Sequence, residues 1–281
     1  PIYVVLGTRA QTIKMAPVMM EMERRNTPYT LLYTQQHKVT ISDLLDNFKI
    51  KTKPISIINR QEEARSIKLF AGWLIQIILL TLNPFSARKV FSSGQGIVLT
   101  HGDTATTSWS AIYGRLHRQK VMHIESGLRS FNLLNPFPEE IQRLITFRFS
   151  NYYVCPNKWA LDNLKKYKGK KINTKANTMY EALTYTLENK SDKNLKAIQA
   201  KFKLPKSFAL VSIHRYENIF KNKRFDEILD LLNDISKSIH LVFVLHPPTE
   251  KQLKARGLED KLNANKQILL IPRQDFKNFT L

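Results

Sequence analysis

The strongest constraint on this chain is an alternation. Eight short apolar runs, at residues 2–6, 29–33, 96–100, 121–124, 152–155, 208–213, 240–245 and 267–271, are separated by segments of helical spacing. The runs are rich in β-branched residues and bounded by polar ones, the pattern of buried strands. Helical spacing occupies about 14–25, 61–83, 104–118, 138–150, 157–167, 178–188, 222–237 and 249–256. Strand, helix, strand with right-handed crossovers builds a parallel sheet carrying helices on both faces. The expected fold class is therefore α/β and doubly wound. At 281 residues there is room for about two such domains. Polar stretches at 165–175 and 189–207 interrupt the alternation, so the boundary is expected near 170, with Rossmann-like domains at 1–170 and 171–281. The second reads as incomplete, because Phe279-Thr280-Leu281 has the character of the first turn of a further helix.

Charge decides where partners are sought. The chain carries 44 Lys and Arg against 23 Asp and Glu, a net +21. The excess is spread over both halves, 19 basic to 10 acidic in residues 1–150 and 25 to 13 in residues 151–281, so it is not a basic tail. Its densest cluster, Lys165, Lys166, Lys168, Lys170 and Lys171, could meet an anionic polymer, but a solvated lysine-rich face is the ordinary reading and no nucleic-acid module accompanies it. No nucleic-acid partner is expected. The single Cys155 forms no internal disulfide, and no Cys/His cluster or HExxH pattern points to a metal. A reducing cytoplasm fits. Residues 1–6 enter a strand-like run with no secretory pattern. The most apolar segment, 69–82, contains Gly72 and Gln76 and is shorter than the roughly 20 residues a membrane span needs. It reads as a buried helix rather than a membrane span.

In open parallel sheets, ligands bind beyond the carboxyl ends of the strands. The residues placed there are Gly7-Thr8-Arg9, Thr34-Gln35-Gln36-His37, His101-Gly102-Asp103, Glu125-Ser126-Gly127-Leu128-Arg129, His214-Arg215 and His246-Pro247. One polar loop is unremarkable in a surface, but ionisable groups at nearly every strand end describe a ligand cleft between two domains. Asp103 and Glu125 close successive strands, so their carboxylates can converge, an arrangement suited to general acid and base work. Arg9 and Lys14 lead into a helix expected to start near Pro17, where they can hold a phosphorylated ligand. Neither GxGxxG nor a P-loop is present, which argues against a dinucleotide cofactor or a Walker-type site. Glu139 lies one turn before Arg143, a spacing that suits an ordinary helix start with an i,i+4 ion pair.

Taken in order, these motifs resemble the non-hydrolysing UDP-N-acetylglucosamine 2-epimerase family over essentially the whole chain. The strings are Gly7-Thr8-Arg9 with Ile13-Lys14-Met15-Ala16-Pro17, Thr34-Gln35-Gln36-His37, Gly102-Asp103-Thr104 and His123-Ile124-Glu125-Ser126-Gly127-Leu128-Arg129-Ser130. Pro136-Phe137-Pro138-Glu139-Glu140 with Arg143, Asn177-Thr178, His214-Arg215 with Glu217-Asn218, and His246-Pro247 follow. The middle block is the specific part. The resemblance implies a GT-B-like pair of Rossmann-like domains facing across a cleft, with the second domain incomplete, and a homodimer. It also implies interconversion of UDP-N-acetylglucosamine and UDP-N-acetylmannosamine for surface polysaccharide, by elimination of UDP to 2-acetamidoglucal and re-addition, with no cofactor. A hydrolysing or modified-sugar 2-epimerase and an inactive binding protein are the alternatives.

Carried over residue by residue, the resemblance implies catalytic roles for Asp103, Glu125, Glu139, His214 and Lys14. It implies substrate binding by Arg9, His37, Arg129, Arg143, Arg215, Glu217, Asn218 and His246. The pattern is departed from at Ala10 and Gln11, where the family has proline and glutamate. Gln35 replaces a loop glycine, and Tyr216 and Phe220 stand in the fifth strand-end motif where a basic residue and a glycine are usual.

Overall fold

A computed structural model of the chain describes residues 1–36, 41–58 and 67–280. They form two compact units, Pro1–Thr184 and Tyr185–Leu281. In the first, β1 (Ile2–Leu6), β2 (Thr30–Tyr33), β3 (Ile55–Ser56), β4 (Ile97–His101), β5 (Lys120–Ile124), β6 (Tyr152–Cys155) and β7 (Lys170–Asn173) make one sheet of order β3-β2-β1-β4-β5-β6-β7. Every neighbouring pair is parallel. Strand order reverses between β1 and β4, paired Tyr3 to Val98 and Val4 to Leu99. That reversal is where a doubly wound sheet opens a crevice for ligand. In the second unit, β8 (Ala209–Ile213), β9 (Leu241–Leu245) and β10 (Ile268–Pro272) form a parallel sheet of order β10-β9-β8.

Burial explains why these segments are strands. Tyr3, Val4, Leu6, Val98 and Val121 are fully buried, and β9 is buried along its whole length, as strands covered on both faces must be. In the second unit, helix Asn222–Ser236 lays Phe225, Leu229 and Leu232 against Leu241, Phe243 and Leu245.

Four expectations need correction. Residues 165–175 are not a polar break, since Lys170–Asn173 is β7, paired to β6, and the first compact unit runs on to Thr184. An edge strand needs only one neighbour and tolerates lysine, so it lacks the apolar signature of the inner strands. The polar stretch 189–207 contains helix Asp192–Phe202, which has no buried residue and so shows little apolar stripe. The first helix starts at Arg9, not near Pro17: Thr8 caps it by accepting the Gln11 N–H, and buried Thr12, Met15, Ala16 and Met19 hold it against the sheet with Pro17 inside. Segment 69–82 is helical within Ile67–Leu82 but only half buried. Trp73 and Ile77 pack into the core, while Leu74, Ile75, Ile78, Leu79 and Leu82 are exposed, because only one helix face can reach the sheet. No described helix is long and apolar enough to cross a membrane.

Candidate active site

The crevice at β1 and β4 is built by close approach. A Cβ on Gly7 would come within 2.0 Å of Thr106 Oγ1 and 2.5 Å of Thr34 Oγ1, so only glycine lets the end of β1 pass between those hydroxyls. Gln11, the departure from the family's glutamate, is buried and satisfied. Its Oε1 accepts the Gly7 N–H at 2.9 Å, and its Nε2 donates to the His101 carbonyl at 2.9 Å and to Thr107 Oγ1 at 3.0 Å. A carboxylate could not make those two donations. The amide therefore ties the end of β1 to the end of β4.

Glu125 is the centre of the first cluster. It follows β5 in the left-handed region, φ 62°, a conformation that costs a non-glycine residue roughly 1–2 kcal/mol and often marks a functional turn. Lys14, brought onto the second helical turn by the early helix start, donates to both carboxylate oxygens at 2.8 Å. Asn177 Nδ2 donates to Oε1 at 2.5 Å, and His101 Nε2 faces Oε2 at 3.6 Å. Burial pushes the Glu125 carboxyl up, and the Lys14 ammonium with the hydrogen bonds from Lys14 and Asn177 pulls it below the usual carboxylate range. Burial pushes His101 down to about 3. The cation that balances Glu125 at neutral pH is therefore Lys14.

Asp103 anchors the second cluster. Arg143, on helix Glu139–Phe149, donates to Asp103 Oδ2 from Nε at 3.0 Å and Nη2 at 2.5 Å, and from Nη1 to Glu140 Oε2 at 3.3 Å. Glu140 is fully buried, and it also accepts from Arg129 Nε and from the Ser130 N–H. Burial raises the Glu140 carboxyl, and these donors more than offset it, so it too lies below its ordinary value. The expected i,i+4 pair between Glu139 and Arg143 is not what forms. Arg143 turns to Asp103 and Glu140, and among the described residues Glu139 Oε2 is buried without a hydrogen-bond partner. The clusters are locked together by His123: its Nε2 meets the Gly102 carbonyl at 2.7 Å and its Nδ1 meets Ser126 Oγ at 2.9 Å. Burial pushes His123 down to about 4, so the neutral ring donates to Gly102 and accepts from Ser126.

The other sequence-derived residues fall into two groups. Arg9 forms a two-pronged pair with Asp43, at 2.7 and 2.5 Å. His37 lies outside the described residues. Beside it, Gln36 Oε1 accepts from the Thr106 N–H and hydroxyl, and Gln35 takes φ 51°, so the position where the family has glycine does require the left-handed region. In the second unit, His214 and His246 follow β8 and β9 with ring centroids 4.7 Å apart, and His246 Nε2 meets Ser212 Oγ at 3.2 Å. Burial, with His214 and Arg273 nearby, holds His246 below the usual histidine range. Arg215 and Glu217 form an exposed pair at 3.6 Å, and the Asn218 N–H donates to the Arg215 carbonyl. Sequence reasoning placed His101 at a strand end and met Glu140, His123 and Asn177 in its motifs, but assigned no role to them or to Gln11. The signal for Glu140 was its place three residues before Arg143. Among the described residues, no three His, Cys, Asp or Glu side chains gather in a metal-holding group.

Carboxylates balanced by fixed cations at the ends of neighbouring strands, beside the strand-order reversal of a doubly wound Rossmann-like sheet, are an arrangement suited to proton transfer. Residues 20–281 match the profile of the family described as UDP-N-acetylglucosamine 2-epimerase. The chain belongs to that family. The UDP-N-acetylglucosamine 2-epimerase of Campylobacter jejuni is 33% identical over 269 residues, covering 90% of this chain and 67% of the relative. That of Methanocaldococcus jannaschii is 28% identical, covering 99% and 74%. The crystal structure of UDP-GlcNAc 2-epimerase from Neisseria meningitidis bound to UDP-GlcNAc superposes with a TM-score of 0.82 at 28% identity, covering 99% of this chain and 74% of that one.

Proposed function

We propose that the chain interconverts UDP-N-acetylglucosamine and UDP-N-acetylmannosamine. The C2 proton of the sugar is weakly acidic, so the reaction proceeds by elimination. The C2–H bond breaks as its electron pair forms the C1=C2 bond, and UDP departs with the C1–O pair. Re-addition with protonation from the other face inverts C2. The observation that supports this is the pairing of Glu125 with Lys14 and of Asp103 with Arg143 at neighbouring strand ends, which holds two proton-transfer groups and two cations in fixed positions. Asp103, Glu125 and Glu139 share the proton transfers, while Lys14, Arg129 and Arg143 balance the charge that develops on the leaving diphosphate. Arg9, His37, His214, Arg215, Glu217, Asn218 and His246 serve nucleotide binding, with His214 also acting at the diphosphate. The lone buried thiol of Cys155 suits a reducing cytoplasm.

The test is incubation with UDP-N-acetylglucosamine in deuterated water, followed by proton NMR. Deuterium entering C2 together with formation of UDP-N-acetylmannosamine supports the proposal. UDP and free N-acetylmannosamine as the sole products would replace interconversion with hydrolysis, and no C2 exchange would refute both.

We also propose a homodimer through helix Ile67–Leu82. Two copies of a +21 chain repel wherever lysine and arginine face each other, but residues 69–87 contain no charged side chain and expose Leu74, Ile75, Ile78, Leu79, Leu82 and Phe85. Light scattering should give twice the chain mass, and Leu79→Lys should give the monomer. A wild-type monomer would refute this.

A further inference from the structure

His101 is 1% exposed, and among the described residues its Nε2 has no hydrogen-bond partner. An unpaired polar atom in the interior is costly, so its position calls for a reason. What it faces is Glu125 Oε2, at 3.6 Å. A ring N–H aimed at an ionised carboxylate would close to a charge-assisted bond of about 2.8 Å. The gap instead suits two acceptors facing each other, an imidazole lone pair and a carboxylate lone pair, with the proton that would join them absent. The backbone that carries the ring is fixed: Gln11 Nε2 and Thr107 Oγ1 both donate to the His101 carbonyl, at 2.9 and 2.6 Å. Asn177 and Lys14 donate to Oε1, while Oε2 has Lys14 on one side and His101 on the other. The charged or titratable groups acting on the ring are Glu125 and His123, from β5 and its end, and Lys14 from the first helix.

Resting on the epimerase reading, we propose that His101 is a positioning residue whose Nε2 accepts the hydrogen bond of protonated Glu125, giving the proton exchanged with substrate C2 a fixed seat between the two side chains. In the elimination direction, the proton leaves C2 for Glu125 Oε2 while the C–H electron pair stays with the sugar and forms the C1=C2 bond. The new O–H then points at Nε2 and the gap closes. In the reverse direction the proton returns to carbon and the bond opens. His101 does not take the proton itself, because burial keeps the ring neutral. It raises the stability of protonated Glu125 against the field of Lys14, which favours the ionised form. Without such an acceptor, a carboxylate bridged by an ammonium is a poor resting place for a proton.

The tautomer is directly observable. In the unaltered chain labelled with ¹⁵N-histidine, two-bond proton–nitrogen correlation spectra at pH 7 should show the His101 Nε2 as an unprotonated, pyridine-type nitrogen, assigned by its loss in His101→Gln. A protonated, pyrrole-type Nε2 would overturn the proposal whether or not the chain turns over substrate. In kinetics, His101→Phe should move the acid limb of the kcat/KM profile to lower pH by about one unit, with kcat falling and KM unchanged, since protonated Glu125 loses a partner. If His101 were a donor to the carboxylate, the limb would move to higher pH, and that result would also overturn the proposal. Absence of C2 exchange in the unaltered chain would refute the epimerase reading alone, since the tautomer is read without substrate.

Discussion

The strand ends of the two units are built in opposite ways. At the seven-stranded sheet, two acidic groups have assigned cations with little access to water: the Glu125 side chain is 10% exposed beside Lys14, and Glu140 is fully buried between Arg129 and Arg143. At the three-stranded sheet, the ion pair of Arg215 and Glu217 is 67% and 55% exposed, and His214 is held by a ring contact with His246. The first arrangement is preorganised, so its dipoles need not reorient when charge develops in a transition state. In the second, long side chains must be ordered by whatever binds them, which suits recognition more than chemistry. The proposed division, chemistry in one unit and recognition in the other, is one that substitutions can break.

The largest effect is expected at Glu125. Glu125→Gln keeps the volume and a donor–acceptor group, but removes the proton acceptor, so C2 deuterium exchange should fall by about 10²–10⁴-fold. Urea unfolding should show that the chain still folds. An exchange rate within a factor of a few of wild type would remove Glu125 from the chemistry and with it the contrast between the units.

Next comes Glu140, which sequence reasoning passed over because it stands beside the more conspicuous Glu139. Glu140→Leu leaves Arg129 and Arg143 facing a buried apolar group, and breaking a buried pair from one side costs roughly 3–5 kcal/mol. All three tryptophans, Trp73, Trp109 and Trp159, belong to the first unit, so tryptophan fluorescence follows that unit during urea denaturation. A loss below about 1 kcal/mol would show that the cluster is solvated rather than built in.

Acid should weaken the first unit on the same fluorescence signal. Groups whose folded pKa lies below the unfolded value stabilise the fold above the unfolded pKa and lose that contribution as pH falls through the folded one. His123 at about 4 and His101 at about 3 start this loss below about pH 6.5, and Glu125 and Glu140 add to it below about 4.3. The urea midpoint read by tryptophan should therefore fall steadily from pH 7 to pH 4. A flat midpoint over that range would mean that the strand-end groups do not hold the first unit together.

How much of this was legible in the sequence follows from the same contrast. All eight expected strands are present with ends within one residue, because each carries a short apolar run bounded by polar residues. What escaped was whatever lacks such a run: β3, only two residues long, the lysine-bearing edge strand β7, and the exposed helix Asp192–Phe202. Asp103 and Glu125 were readable because strand ends can be counted. Their partners were not, since Lys14 and Asn177 reach Glu125 across 111 and 52 residues of chain. Gln11 looked like a defect in a motif and is instead a hydrogen-bonded tie that needs its amide. Gln35 shows the reverse: the position demands a positive φ, the glutamine adopts it, and its Nε2 donates to Ser56 Oγ at 2.8 Å.

The smallest effect is expected at Glu217, the counterpart of Glu140 in the second unit. Glu217→Gln removes one partner of an ion pair held at 3.6 Å between side chains that are both more than half exposed. Water screens such a pair, and ordering two long side chains offsets most of what attraction remains, so stability should change by less than about 0.5 kcal/mol. Tryptophan fluorescence does not follow this unit, so far-UV circular dichroism during urea unfolding is the measurement. If the substitution instead weakens UDP-N-acetylglucosamine binding without moving the unfolding midpoint, Glu217 acts in recognition, as the division between the units requires. A loss of stability like that at Glu140 would mean that the pair is held as firmly as those of the first unit. The two sets of strand ends would then differ in sequence but not in physical design.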